Sequence, residues 1–325
     1  MAKITVLGSG GWGMALGLSA YNCGHSVTLW SPFENEVEML KNTRTNEKLL
    51  KGVYLPDDID ITSDMSLVEG SLLTVIAVPS IAVRSVAKQL SAFKNFGIIV
   101  CLSKGLEDGT YKRLSEVISE ENPDSAVVVL SGPSHAEEVA RKIPTSLVAA
   151  SNSLTAASIV QDELSNEFLR IYTSDDMTGV ELGGAIKNVI AICAGICDGL
   201  KLGDNSKAAL ITRGLAEMSK LGVKMGANER TFAGLSGIGD LIVTCTSVHS
   251  RNNRFGKLVG SGTDVKTALE QVGTVEGYYA CNIAYALAKK YNVSMPIVET
   301  CYGVLYGGKT TDTVVKELML RPKQA

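Results

Sequence analysis

The chain has little that would bind a metal, a nucleic acid or a membrane. Its 325 residues include three histidines, His25, His135 and His249. That is too few to expect a histidine-based zinc centre. Seven cysteines (Cys23, Cys101, Cys193, Cys197, Cys245, Cys281 and Cys301) are scattered, odd in number and never spaced C-x-x-C. The pattern reads as reduced thiols of a cytoplasmic protein, not as a disulfide framework. Cys193 and Cys197 stand one helical turn apart, but without histidine or carboxylate company they make a poor metal site; no metal is expected. The formal net charge is −3, so no basic excess points to a nucleic-acid partner. No unbroken apolar run approaches the roughly 18 residues of a membrane span, and no stable membrane insertion is expected. The first residues lack the basic stretch and apolar core of a secretory signal. Repeats and low-complexity tracts are absent. What remains is 45% apolar and 20% charged, the balance of a globular protein, and the length fits two domains.

The most informative segment lies at the start. The apolar run Ile4–Leu7 leads into Gly8-Ser-Gly-Gly-Trp-Gly13, and a helical run, Met14–Asn22, follows. Gly8, Gly10 and Gly13 have the G-x-G-x-x-G spacing. Gly8 permits the tight turn, Gly10 lets backbone N–H groups approach a pyrophosphate, and Gly13 lets the helix pack on the strand. The helix N-terminus then faces the negative charge. A strand, a glycine turn and a helix in that order, with a second strand at Ser26–Trp30, predict dinucleotide binding. A NAD site often shows an acidic residue past the second strand, and a NADP site an arginine. Here the strand ends Leu29-Trp-Ser-Pro-Phe33, Glu34 comes late and Arg44 is distant. The choice between NAD and NADP stays open.

The first half alternates strand and helix. A polar helical stretch is expected at Glu34–Leu50, strands at Leu72–Val78, Ile98–Leu102 and Ala126–Leu130, and helices at Ile81–Leu90 and around Thr110–Ser119. Short strands are expected at Thr145–Ala149 and Leu169–Tyr172. Such alternation predicts an α/β domain of Rossmann type, with a parallel sheet covered by helices on both faces. Ligands bind at the carboxyl ends of such strands, where Val78-Pro79-Ser80, Ser103-Lys104-Gly105 and Ser131–Ser134 join the glycine loop. Beyond Asp175 the pattern turns helical: Met177–Leu200, Asn205–Leu221, Asp264–Gln271, Tyr278–Tyr291 and Pro296–Leu305. The expected domains are 1–176, dinucleotide-binding, and 177–325, all-helical and carrying substrate chemistry. The tail after Leu320 is expected to fray.

Lys104 sits where a strand ends, beside a glycine; it reads either as a surface lysine or as a ligand-facing cation. Lys187 interrupts the apolar helix Gly183–Cys193. A charge there is costly if buried without purpose, and a lysine held in a dry cleft can act as a base; the other reading is a lysine reaching out to solvent. Asn188 adds a donor and an acceptor. Asp240 falls in a glycine-rich turn, with hydroxyls at Thr244, Thr246 and Ser247. In the basic loop Ser250-Arg-Asn-Asn-Arg-Phe-Gly256, Arg251 either grips a phosphate or carboxylate bidentately or is solvated. His249 reads as polar surface. Glu276 either holds an amide or ribose or is a helix N-terminal acid.

Taken in order, the glycine loop, Ser103-Lys-Gly-Leu-Glu107, Ser131-Gly-Pro-Ser-His-Ala-Glu-Glu-Val139, Ala185-Ile-Lys-Asn-Val-Ile190, Gly239-Asp240-Leu241 through Thr244, Ser250–Gly256 and Val275-Glu-Gly277 resemble the bacterial NAD(P)-dependent glycerol-3-phosphate dehydrogenases over essentially the whole chain. The resemblance implies reversible hydride transfer between NAD or NADP and a phosphorylated small molecule. The implied reaction interconverts sn-glycerol 3-phosphate and dihydroxyacetone phosphate and would supply glycerophospholipid synthesis. The resemblance implies Lys187 as proton acceptor for the substrate hydroxyl, and Lys104 as a substrate contact that also belongs to the catalytic and cofactor sets. By the same resemblance Gly132, Ser134, Asn188, Asp240, Ser250, Arg251 and Asn252 are expected to line the substrate site, with Asp240 and Thr244 orienting the lysine. Gly11, Trp12, Ala136, Val275 and Glu276 join Gly8, Gly10 and Gly13 at the cofactor, with Arg251 near both cofactor and phosphate. A 3-hydroxyacid or 6-phosphogluconate type dehydrogenase is the alternative. The family commonly has a basic residue where this chain has Ser31-Pro-Phe33, and an aromatic where it has His135. A homodimer is compatible with the chain, whose oligomeric state is left open.

Overall fold

The computed structural model describes residues 1–320; the tail expected to fray, Arg321–Ala325, lies outside them. The chain divides into two compact units. The first comprises Met1–Glu107 and Lys112–Met177, and the second Asp108–Tyr111 and Thr178 onward. The boundary near Asp176 read from the sequence thus has a neighbour it did not contain: four residues of the first half cluster with the second unit.

In the first unit, β1 (Lys3–Leu7), α1 (Gly11–Asn22), β2 (Ser26–Trp30) and α2 (Glu34–Thr43) are followed by a small hairpin, β3 (Thr45–Asn46) and β4 (Leu50–Tyr54), and by β5 (Asp60–Thr62). Then come β6 (Leu73–Ile76), α3 (Val83–Leu90), β7 (Ile98–Cys101), α4 (Leu114–Glu121), β8 (Val127–Ser131), α5 (Ala136–Ala140), β9 (Thr145–Ala150), α6 (Leu154–Leu164) and β10 (Leu169–Ser174). Eight strands form one sheet in the order β10-β9-β8-β7-β6-β1-β2-β5. Its central strands are mostly apolar, with Ile4, Val6, Leu73, Val75, Ile99 and Val100 fully buried beside the threonines Thr5 and Thr74, because helices cover both faces. The chain winds outward from β1 to β2, then restarts on the other side with β6. That reversal leaves a crevice at the carboxyl ends of β1 and β6.

The sheet departs from the expected all-parallel form at one place: β8 and β9 are antiparallel. The connection carries only the five-residue α5. A parallel return is usually made by a crossover of roughly a dozen or more residues built around a full helix, and this connection contains no such helix. The helix expected over Glu34–Leu50 ends at Thr43, because Arg44 turns left-handed at φ 55° and the Thr43 hydroxyl binds the Met39 carbonyl oxygen at 2.8 Å. The helix expected around Thr110–Ser119 starts at Leu114. Before it, the Glu107 N–H bonds the Lys112 carbonyl at 2.9 Å, and Gly109 and Tyr111 take φ of +80° and +61°.

The second unit is helical: α7 (Met177–Gly199), α8 (Asp204–Lys224), α9 (Glu229–Phe232), a π-turn (Leu235–Gly239), α10 (Asp240–Thr246), α11 (Arg251–Gly260), α12 (Val265–Val272), α13 (Glu276–Lys290), α14 (Pro296–Leu305) and α15 (Thr311–Met319). By length and composition α7 could cross a membrane, yet nearly all of it is buried in the structure. Glu181 and Lys187 interrupt its apolar run. Ile186, Val189, Ile190 and Ile192 are fully buried, each stabilising the unit by about 1.5–3 kcal/mol. The segments read as a turn at Asp240 and a loop at Ser250–Gly256 are helices. Ser250 caps α11 by accepting from the Asn253 N–H, a signal its position before Arg251 carried.

Candidate active site

The first unit offers an anion-binding end. Gly8 has φ +127°, and a Cβ there would stand 2.6 Å from the Ala77 carbonyl oxygen at the end of β6. Its N–H bonds the Trp30 carbonyl at 2.9 Å, so the loop is stretched across the ends of β2, β1 and β6. A Cβ on Gly13 would strike the Gly8 carbonyl oxygen, which is why α1 can start so close to the strand. Around Gly10 there is open space. The first bond within α1 runs from Met14 N to Gly10 O, so the N–H groups of Gly11, Trp12 and Gly13 point out of the helix end. No side chain caps that end and no acid lies in its first turn. These features fit the pyrophosphate of a dinucleotide. Gly11 packs 3.8 Å from the Ala136 Cβ, measured from its own ideal Cβ. The Trp12 indole N–H is buried with no hydrogen-bond partner among the described residues.

Three loops pin one another beside this end. The Ser103 hydroxyl donates to the Val78 carbonyl at 2.5 Å. The Lys104 ammonium donates to the Gly132 carbonyl at 2.9 Å, as does the Ser134 hydroxyl at 2.9 Å. Lys104, Gly132 and Ser134 are thus brought together by one carbonyl. Past β2 the buried Ser31 hydroxyl donates to Glu36 at 2.5 Å. The turn into α2 brings this acid to the strand end although it stands too far along the sequence to be noticed. Arg44, the nearest arginine in sequence, is occupied: its guanidinium donates to the carbonyls of Ile59 at 2.7 Å and Asp57 at 3.2 Å. Two cavities of the first unit, about 430 Å³ along Gln161–Tyr172 and about 330 Å³ beside Arg113 and Ser151–Ser153, contain none of the predicted site residues.

The second unit holds the charged centre. Lys187 is 5% exposed and does not reach solvent. Its ammonium meets Asp240 at 2.5 Å and the Thr244 hydroxyl at 2.8 Å. The Thr244 hydroxyl also lies 2.6 Å from the Asp240 carbonyl oxygen, one turn back along α10. Asp240 is 1% exposed, so this is a dry ion pair with a hydroxyl attached. It forms because Gly183, one turn before Lys187, lets the Ser236 carbonyl of the π-turn press against α7; α10 then begins with its acid on the lysine. A second chain of bonds runs alongside. The Asn252 amide donates to Asn188 at 2.9 Å and accepts from the Gly277 N–H at 2.9 Å. It ties α7, α11 and the start of α13, where Val275 is buried and Glu276 is the first helical residue. Gly277, part of the Val275-Glu-Gly277 motif but without an expected site role, joins this chain through its N–H. Arg251 is exposed at the first position of α11. Burial pushes the Cys245 thiol up to about 12, which leaves the cysteine beside Thr244 protonated and unreactive. Among the described residues no group of histidine, cysteine and carboxylate side chains could hold a metal ion.

Residues 3–157 match the family model described as NAD-dependent glycerol-3-phosphate dehydrogenase N-terminus, and residues 176–316 the model described as its C-terminus. The chain belongs to the NAD-dependent glycerol-3-phosphate dehydrogenase family. It is 49% identical over 326 residues to a glycerol-3-phosphate dehydrogenase, NAD(P)+, of Desulfitobacterium hafniense, covering 100% of this chain and 93% of the relative. It is 50% identical over 330 residues to one of Geobacillus thermodenitrificans, covering 100% and 96%. A crystal structure of glycerol-3-phosphate dehydrogenase from Coxiella burnetii superposes with a TM-score of 0.94 at 38% identity, covering 98% of this chain and 99% of that one. A ketopantoate reductase of Ralstonia eutropha, at 13% identity and TM-score 0.61, shares the fold alone. In this glycerol-3-phosphate dehydrogenase family member the glycine loop and the uncapped start of α1 are the residues that fit a dinucleotide.

Proposed function

We propose that the chain interconverts sn-glycerol 3-phosphate and dihydroxyacetone phosphate with NAD(P), in the cytoplasm, supplying glycerophospholipid synthesis. The buried Lys187, gripped by Asp240 and Thr244, carries the reading, in a chain whose relatives bear that activity in their names. When bound, the nicotinamide accepts hydride from C2 or returns it. As the neutral amine Lys187 takes the C2 hydroxyl proton in the oxidising direction, and as the ammonium it gives that proton to the carbonyl oxygen in the reducing one. Asp240 and Thr244 hold the ammonium in one place, so the substrate oxygen meets a fixed donor. Arg251 offers a fork to two phosphate oxygens at the N-terminus of α11, with Ser250 and Asn252 beside it, and Asn188 holds Asn252 in place. Lys104, Gly132 and Ser134 are assigned to the substrate as well. Gly8, Gly10, Gly11, Trp12, Gly13 and Ala136 hold the dinucleotide, with Lys104, Arg251, Val275 and Glu276 also assigned to it. The helix terminus at Arg251 suits a phosphate, which separates this reading from a 3-hydroxyacid or 6-phosphogluconate type dehydrogenase. The test is the initial rate of NADH and NADPH oxidation by the purified chain with dihydroxyacetone phosphate. Activity on a 3-oxoacid but not on this substrate would overturn it.

A further inference from the structure

The loop that carries Lys104 is held at both ends. At its start Ser103 is bonded to Val78. At its far end Glu107 meets Arg84 of α3 by two parallel bonds, Nε to Oε1 at 2.5 Å and Nη2 to Oε2 at 2.8 Å. Between these anchors Leu106 is 4% exposed. Arg84 also reaches Glu121 at 2.7 Å and Glu120 at 2.8 Å, both on α4. These legs are unequal. The Glu107 side chain is 17% exposed and bonded by both oxygens, while Glu120 is 40% exposed and shared with Lys112. A half-buried bidentate pair fixes geometry, and an exposed single contact contributes little. Glu107 also closes the neck of the Asp108–Tyr111 excursion through its N–H.

We propose that Arg84 is a positioning residue for the reaction. By gripping Glu107 it holds the Ser103–Glu107 loop in the arrangement that aims the Lys104 ammonium at the phosphorylated substrate. The inference rests on the reading of Lys104 as a substrate contact. A lysine on a loose loop still binds, but only from the fraction of arrangements that reach the substrate, and small misplacements are costly.

The experiment compares Arg84→Ala, Lys104→Met, the double variant and Glu120→Gln as full-length chains. The readouts are KM and kcat for dihydroxyacetone phosphate, the NADH dissociation constant and the thermal melt. Arg84→Ala should raise KM for dihydroxyacetone phosphate about tenfold, with kcat and NADH affinity changed no more than they are in Lys104→Met. Glu120→Gln should stay near wild type. In the Lys104→Met background, adding Arg84→Ala should change KM less than about twofold, because the group it aims is gone. Where Arg84→Ala fails to fold, Glu107→Gln removes the carboxylate charge with the shape kept and should give the same pattern. A normal KM in Arg84→Ala beside a damaged Lys104→Met overturns the positioning role alone. A normal KM in Lys104→Met overturns the role of Lys104 and the positioning role with it. A loss of NADH affinity beyond that of Lys104→Met, or additive effects in the double variant, makes the clamp merely structural and overturns the proposal.

Discussion

Lys187→Met removes a charge that its environment is built to hold, and its cost has two separable parts. The first is catalytic. A general acid–base group contributes roughly 10²-fold or more to turnover, about 2.7 kcal/mol at 1.36 kcal/mol per tenfold. The second is structural. Asp240, 1% exposed, loses the ammonium at 2.5 Å and is left as a buried carboxylate without its counter-charge. Breaking such a pair costs about 3–5 kcal/mol, a large share of a total stability of about 5–15 kcal/mol. For units of this size that corresponds to a fall of roughly 10 °C in the melting temperature. Adding Asp240→Asn to Lys187→Met removes the stranded charge and leaves an amide for Thr244. The double variant should regain most of the lost stability and none of the lost activity. The assay is NADH oxidation with dihydroxyacetone phosphate, alongside thermal and urea melts of the wild type, both single variants and the double. Retention of more than about a tenth of turnover in Lys187→Met would remove the proton-transfer role. A double variant no more stable than Lys187→Met would refute the charge-pairing argument.

Arg251→Lys should raise KM for dihydroxyacetone phosphate roughly tenfold, since charge-assisted bonds are worth about 1.5–3 kcal/mol and lysine lacks the planar fork. Dihydroxyacetone, which has no phosphate, should be far less affected, and equal losses on both would return Arg251 to a structural role. Arg44, the nearest arginine past β2 in sequence, is held by the carbonyls of Ile59 and Asp57. The specificity constants for NADH and NADPH should therefore differ by less than about 100-fold; a larger ratio in NADPH's favour would show a 2′-phosphate contact supplied by another residue. Burial lifts the thiols of Cys197 and Cys245 to about 11 and about 12 from an ordinary value of 9.0. Neither should be alkylated by iodoacetamide at about pH 8 in the folded chain, which mass spectrometry reads directly. The folded state holds these protons more tightly than the unfolded chain does. Their contribution to stability is therefore full below about 9 and lost as pH rises toward 11 and 12, so urea midpoints should fall over that range, and a flat profile would contradict the shifts.

Local sequence rules determined much of this protein. The strand, glycine turn and helix at Lys3–Asn22 are specified by residues adjacent in the chain, and their steric logic holds atom by atom, with Gly13 pressed on Gly8. The change from alternating strands to long helices near Asp176 follows from hydrophobic periodicity, which is also local. The resemblance to the dehydrogenase family was legible because its motifs recur in a fixed order. Tertiary structure decided what periodicity cannot express. The antiparallel direction of β9 beside β8 shows only in the folded sheet. That Lys187 is buried, not solvated, was set by a carboxylate 53 positions away, carried in on α10, which the glycines around it made look like a turn. The partners of Arg84 and Ser31, and the occupation of Arg44 by backbone carbonyls, depend on which loops meet at the strand ends. A residue's neighbours in sequence fix its φ, ψ and face. The charges and hydrogen bonds that give a buried side chain its chemistry come from distant segments, brought near only when the apolar surfaces of sheet and helices close on one another.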